Sequence, residues 1–179
     1  MNKKEELRNK FKNQRKSGDY GFLNLVFLKK IQDFLPFKHA RNVMLFYPIK
    51  EEINLLELLN LDKNYSFPCI RNEEIIPYIN NNQFCAGKFK IQEPLDSEPQ
   101  NVEELDLVIV PAICADKNGN RIGYGKGYYD KFLKKINRKR TKCLIVLPDD
   151  FVVDDIEAEP FDEYVDFILT EKRIIEILK

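Results

Sequence analysis

The segment LDLVIVP, residues 105–111, is the run whose reading decides the fold. Apart from Asp106 it is apolar throughout, with no polar residue at alternate positions. A strand with one wet face alternates apolar and polar side chains, so this run reads as a strand covered on both sides. KCLIVLP, residues 142–148, repeats the pattern. NVMLFYP, residues 42–48, is a third short apolar run that ends at a proline. Between such runs lie segments of helical spacing: Leu7 and Phe11 early in the chain, then Phe22, Leu25, Val26, Leu28, Ile31 and Leu35 up to Pro36. Strands that alternate with helices and lack polar alternation predict an α/β fold with a mostly parallel central sheet flanked by helices.

Further elements are expected around that frame. EINLLELL, residues 52–59, predicts a helix, and YSFPCI and EIIPYI, residues 65–70 and 74–79, predict short strands. Residues 80–101 are polar, hold two prolines and read as a long connection. YYDKFLKKI, residues 128–136, predicts a helix, DEYVDFILTE ends in a last strand, and KRIIEILK, residues 172–179, predicts a closing helix. No repeat or linker divides the 179 residues, which are expected to form one domain over 1–179. Twenty-nine basic side chains balance 29 acidic ones, so no net charge draws the chain to nucleic acid or anionic lipid. No apolar stretch reaches bilayer length and the basic N-terminal segment lacks a secretory pattern, so a cytoplasmic location is expected. Cys69, Cys85, Cys114 and Cys143 show no metal-site spacing and read as reduced thiols.

LDLVIVP runs into AICADKNGNRIGYGKG and then the helix, and ligands of open α/β sheets bind at the carboxyl ends of strands. Two standard phosphate loops fail here. Gly125-Lys126 is followed by Gly127 where Walker A needs Ser or Thr, and Tyr128 stands where a dinucleotide fingerprint needs its last glycine. The physics of an anion cradle survives both failures. Gly123, Gly125 and Gly127 can turn backbone N–H groups toward one concavity, and Arg121 and Lys126 add positive charge. Asp130 would repel an anion unless a cation lies between, and Mg²⁺ bridging a carboxylate and phosphates is the usual solution. The plain alternative is a glycine-rich turn with Asp130 at a helix start.

The stretch VPAICADKNGNRIGYGKGYYDKFL closely resembles the signature of the 5-formyltetrahydrofolate cyclo-ligase family. KEELR, FYPIKEEI, IQEP and EPFDEYVDFILTE resemble further family segments, in order along almost the whole chain. The resemblance implies a three-layer Rossmann-like fold. It also implies a monomer that uses ATP as co-substrate, with Mg²⁺, to close 5-formyltetrahydrofolate into 5,10-methenyltetrahydrofolate, releasing ADP and phosphate.

The resemblance carries residue roles. Lys4 and Arg8, one helical turn apart, would grip ATP phosphates; their alternative is a solvated basic face shared with Lys12 and Arg15. Arg121 and Lys126 would be catalytic and contact the phosphates together with Gly123, Gly125, Gly127, Tyr128 and Tyr129. Asp130 and Asp162 would be the Mg²⁺ ligands, with Glu159 a further carboxylate. Glu52 would hold the pterin edge, with Tyr47, Tyr124, Gly125, Lys126, Gly127 and Tyr128 lining the folate site. Lys126→Ala and Asp130→Asn are expected to cost turnover with little loss of stability. Ala112 and Ala115 depart from the family pattern, and Ala115 is expected to alter folate packing where a phenylalanine is common. His39 reads as a surface residue. Two other functions stand beside this one: a related ATP-using enzyme with a different substrate, and a nucleotide- or RNA-binding module built on the basic run KKINRKRTK.

Overall fold

The structure is a computed structural model that describes residues 2–178. Its elements, in chain order, begin with α1 (Lys3–Ser17), α2 (Leu23–Asp33), α3 (Leu35–His39) and β1 (Asn42–Met44). The strands β2 (Asn64–Arg71), β3 (Glu74–Ile79), β4 (Phe84–Ala86), β5 (Gln92–Pro94), β6 (Leu107–Ile109), β7 (Cys114–Asp116) and β8 (Arg121–Ile122) follow. After α4 (Tyr128–Leu133) come β9 (Lys142–Val146), β10 (Val152–Val153), β11 (Phe167–Leu169) and β12 (Ile174–Glu176).

Seven strands form the central sheet in the order β12-β11-β9-β6-β1-β2-β3. The run β11-β9-β6-β1-β2 is parallel throughout. The edge strands β3 and β12 are antiparallel hairpin partners of β2 and β11. The apolar runs behave as their composition requires. Met44, Val108, Cys143, Ile145 and Ile168 pack into a core on one face, with Phe11 of α1 and Phe132 and Leu133 of α4. Their chain neighbours Val43, Leu107, Ile109, Leu144, Val146 and Leu169 pack into a second core on the other face, with Phe27 and Ile31 of α2 and Phe37 of α3. Successive side chains point to opposite faces of a strand, and here both faces are dry, so both sets are apolar. The mixed α/β fold with helices on both sides of a mostly parallel sheet is the one expected.

Four local expectations need correction. Residues 52–59 form only a 3₁₀ turn at Leu56–Asn60. The Asn54 side chain accepts from the Leu56 amide at 2.9 Å, a local bond that competes with helix. The stretch up to Pro36 divides: α2 ends at Asp33, and Pro36 sits in the first turn of α3, where its missing N–H costs nothing. His39, the last residue of α3, is exposed, as its surface reading expects. KRIIEILK does not close as a helix; Lys179 lies outside the described residues, and Ile174–Glu176 is strand β12. Thr170 Oγ1 accepts from the amides of Lys172 and Arg173, and the Thr170 amide donates to the Arg173 carbonyl, so the chain turns back on β11. Finally, residues 80–101 are not all connection, because β4 and β5 pair antiparallel within them.

The four cysteines are free thiols. Burial pushes Cys69, Cys114 and Cys143 up to about 12, so they stay protonated and serve as packing. None of the described helices is long and apolar enough to cross a membrane.

Candidate active site

Beyond β6 the chain passes Pro111, forms the hairpin β7–β8, and enters the glycine loop before α4. The hairpin turn is organised by Asp116, fully buried, whose Oδ1 accepts from the amides of Asn118 and Asn120. Its Oδ2 accepts from Asn120 Nδ2 at 3.0 Å and from the Ile156 amide at 3.1 Å. This ties the loop's root to the acidic segment that precedes β11. Gly125 and Gly127 have φ of 91° and 67°, left-handed values that a side chain would strain. Gly123 is not in that region, so its place in the loop rests on space rather than on φ.

The loop forms one wall of a cavity of about 700 Å³. Every site residue expected from the sequence lines it: Lys4, Arg8, Tyr47, Glu52, Arg121, Gly123, Tyr124, Gly125, Lys126, Gly127, Tyr128, Tyr129, Asp130, Glu159 and Asp162. The expected solvated basic face of α1 is therefore only part of the story, since Lys4 and Arg8 turn inward.

At one end, α1 delivers its two cations to the loop and to the acidic segment. Lys4 Nζ lies 2.5 Å from Glu159 Oε2 and also pairs with Asp162. Asp162 in turn accepts from the Glu159 amide at 2.7 Å. Burial opposes the Lys4 charge, but its hydrogen bonds to Asp162 and Glu159 outweigh that and raise its pKa. Arg8 Nε donates to the Gly123 carbonyl at 3.0 Å, and its guanidinium lies against Gly125, 3.5 Å from where a Cβ would stand. Arg121, with its side chain 4% exposed, donates from Nη2 to Asp130 Oδ1 at 3.0 Å and lies over the Tyr129 ring. The Glu163 amide donates to the same Asp130 oxygen at 3.2 Å, which joins α4 to the acidic segment. Two buried donors, Arg121 Nε and Tyr129 Oη, have no partner among the described residues. Lys126 is exposed in the loop with no ion pair among the described residues. Unsatisfied donors and an unpaired ammonium around glycine amides suit a multiply charged anion.

At the other end, Glu52 Oε2 accepts from the Ile49 amide at 3.0 Å, and its Oε1 accepts from the Tyr124 hydroxyl at 3.3 Å. Burial raises the Glu52 pKa; the Ile49 amide and nearby Arg15 only partly offset this. Burial and the Glu52 carboxylate raise Tyr124 as well, so the hydroxyl remains a donor. The sign of the stability effect follows. A carboxyl with a raised folded-state pKa keeps its proton in the native chain after the unfolded chain has released it. Stability then falls as pH rises from the ordinary carboxylate range through the raised value. Glu52→Gln is expected to flatten that decline, read as a smaller drop in Tm of the ligand-free protein between about pH 4 and pH 7.

The sequence missed part of the cavity. Lys88, Phe89, Ile91 and Glu93 line it from the β4–β5 hairpin, and Phe161 lines it beside Lys4. IQEP, which holds Ile91 and Glu93, and EPFDEYVDFILTE, which holds Phe161, offered a signal; Lys88 and Phe89 had none. Ala115 corrects an expectation in the other direction. It is fully buried in β7, inside the core cluster and outside the cavity wall, so it does not itself line the ligand cavity. The basic run 134–142 is partly spoken for: Lys135 pairs with Glu74, Arg138 with Asp166 and Arg140 with Asp106.

The carboxylates also bear on Mg²⁺. Among the described residues no group of three or more His, Cys, Asp or Glu side chains is placed to hold a metal. Asp130 and Asp162 stand on the cavity wall as single oxygen donors, each already matched by a cation. Such a pair fits Mg²⁺ carried in by phosphates, which takes one or two carboxylates and fills its remaining positions with phosphate oxygens and water.

Comparison with known proteins agrees with the geometry. The family model described as the 5-formyltetrahydrofolate cyclo-ligase family matches residues 1–171. The chain belongs to that family. Among its relatives, the 5-formyltetrahydrofolate cyclo-ligase of Mycolicibacterium smegmatis is 32% identical over 153 residues, 78% of each chain. That of Mycoplasma genitalium is 31% identical over 136 residues, 72% of each chain. The solved structure of Aquifex aeolicus 5,10-methenyltetrahydrofolate synthetase superposes with a TM-score of 0.87 at 29% identity, covering 98% of this chain and 93% of that one. Membership of this ligase family fits a cavity with a cationic glycine loop at one end and a half-buried carboxylate at the other.

Proposed function

We propose that the chain uses ATP to cyclise 5-formyltetrahydrofolate to 5,10-methenyltetrahydrofolate, releasing ADP and phosphate. The observation that carries this reading is the convergence, in one cavity, of a cationic glycine loop with a hydrogen-bonded carboxylate, Glu52. The formyl group is an amide, and its oxygen leaves poorly. Attack of that oxygen on the γ-phosphorus, with loss of ADP, converts it into a phosphate ester. The folate's neighbouring nitrogen then attacks the formyl carbon, gives up its proton, and phosphate departs with the oxygen. Chemistry of this kind needs alignment and charge neutralisation more than a protein nucleophile.

In this reading the glycine-loop amides and Lys126 hold the transferring phosphoryl group. Lys4, Arg8 and Arg121 hold the rest of the triphosphate, and Asp130 and Asp162 would hold Mg²⁺, which neutralises phosphate charge. Arg121, fixed by Asp130 and Tyr129, keeps its fork in place. Glu52 accepts hydrogen bonds from the amino-pyrimidine edge, and Tyr47 and Tyr124 border the pterin. The experiment is direct: purified protein with 5-formyltetrahydrofolate and Mg²⁺ should develop the methenyl chromophore only when ATP is added. A folded protein that binds ATP yet yields no chromophore would refute the assignment.

A further inference from the structure

We infer that Asp116 is a positioning residue for the triphosphate end of the cavity: its buried carboxylate fixes the acidic segment 154–166, which carries Glu159 and Asp162, against the turn that presents Arg121. This rests on the ATP reading above and adds to it a residue that stands outside the cavity wall.

No backbone ladder places the acidic segment, because the chain has no helix or strand between β10 and β11. Two hydrogen bonds tie its ends to a single turn, residues 116–120. The Ile156 amide donates to Asp116 Oδ2 at 3.1 Å, and the Val165 amide donates to the Gly119 carbonyl at 3.0 Å. A further tie, from the Glu163 amide to Asp130, runs to α4 instead. Glu159 and Asp162 lie between the two tied ends, and Arg121 follows the turn directly, in register with Ala115 of β7. One turn thus sets a phosphate-binding guanidinium and two carboxylates relative to each other.

The carboxylate does more than a turn requires. Asp116 is fully buried, and all four of its hydrogen bonds come from uncharged N–H groups. Burying a carboxylate without a cation is costly, whereas asparagine is an ordinary uncharged residue for closing such a turn. Asparagine cannot accept on both sides. Oδ1 of Asp116 serves the turn through the Asn118 and Asn120 amides, while Oδ2 faces Asn120 Nδ2 and the Ile156 amide. In Asp116→Asn the remaining oxygen stays with the two turn amides, and the new NH₂ takes the place of Oδ2. The Asn120 side chain can turn its amide over and accept from it, but the Ile156 backbone N–H cannot. The substitution therefore keeps the turn and cuts the tie to the acidic segment.

Calorimetric binding of a non-hydrolysable ATP analogue with Mg²⁺, and separately of 5-formyltetrahydrofolate, should be measured on wild type, Asp116→Asn and Asn120→Ala, with Tm on each preparation. Asp116→Asn is expected to weaken the analogue about 10-fold and to raise the KM for ATP in parallel, with the Kd for the folate unchanged. Asn120→Ala removes a donor to the same carboxylate but leaves the Ile156 bond, so it is expected to lower Tm while holding ATP affinity within about 2-fold. A merely structural role would make both variants lose ATP and folate affinity in step with Tm, and that result would overturn the inference. Unchanged ATP affinity in folded Asp116→Asn would overturn it too, with the ATP reading left intact. Should Asp116→Asn fail to fold, hydrogen exchange on the wild type decides. The amides of residues 118–120 and 156–163 should slow together when the analogue binds and stay unchanged with the folate; slowing confined to 156–163 would overturn the inference. A wild-type chain that does not bind the analogue overturns the ATP reading and the inference together.

Discussion

Lys126→Ala is expected to lower kcat by about 10²–10³-fold while leaving the thermal unfolding midpoint within about 2 °C of wild type. The two halves of this result have separate causes. Lys126 is exposed and unpaired among the described residues, so the fold does not depend on it. It stands between Gly125 and Gly127, whose left-handed backbone turns the loop around the proposed γ-phosphate position. A cation there acts on charge that moves during transfer, and its removal costs the transition state more than the ground state. Turnover measured by the methenyl chromophore, with Tm on the same preparation, checks both halves. Wild-type kcat in the variant would remove Lys126 from the chemistry.

Asp130→Asn is expected to abolish most turnover and also to destabilise the ligand-free protein, by about 1–3 kcal/mol. The sequence alone predicts the first effect without the second. The structure adds the reason: Arg121 is 4% exposed on its side chain and Asp130 20%, so the guanidinium is buried against that carboxylate. Asparagine keeps a carbonyl oxygen that can still accept the Arg121 and Glu163 bonds, but it leaves a buried cation without its counter-charge. Denaturant titration should therefore show a lower midpoint with an unchanged m-value. Saturating Mg-ATP should restore less stability than it gives the wild type, because the proposed metal contact is gone. Unchanged stability would mean that the Arg121–Asp130 pair contributes nothing net.

What the sequence disclosed and what it hid follow from how each element is stabilised. LDLVIVP, KCLIVLP and NVMLFYP were legible because each is buried on both faces, and Val43, Met44 and Leu45 show why: consecutive residues enter opposite cores. The glycine loop was legible because its composition has few structural uses outside a close backbone approach. The β4–β5 hairpin was hidden because its three-residue strands pair only with each other, outside the main sheet, and its turn places Phe89 and Lys90 in conformations that composition does not announce. The missing helix at 52–59 turned on a single Asn54 side chain, and the final strand on the Thr170 hydroxyl. The role of Arg121 was half legible: its charge was visible, whereas its burial against Asp130 and Tyr129 required the fold.

The central claim is that the formyl oxygen and the γ-phosphate meet in the cavity bounded by the glycine loop and Glu52. The most direct measurement is a single turnover with 5-formyltetrahydrofolate carrying ¹⁸O in the formyl group, followed by mass analysis of the released phosphate. The account predicts that one labelled oxygen per turnover appears in phosphate, and that the yield falls in parallel with turnover in Lys126→Ala. Unlabelled phosphate alongside normal methenyl product would contradict it, since the formyl oxygen would then have left by another route.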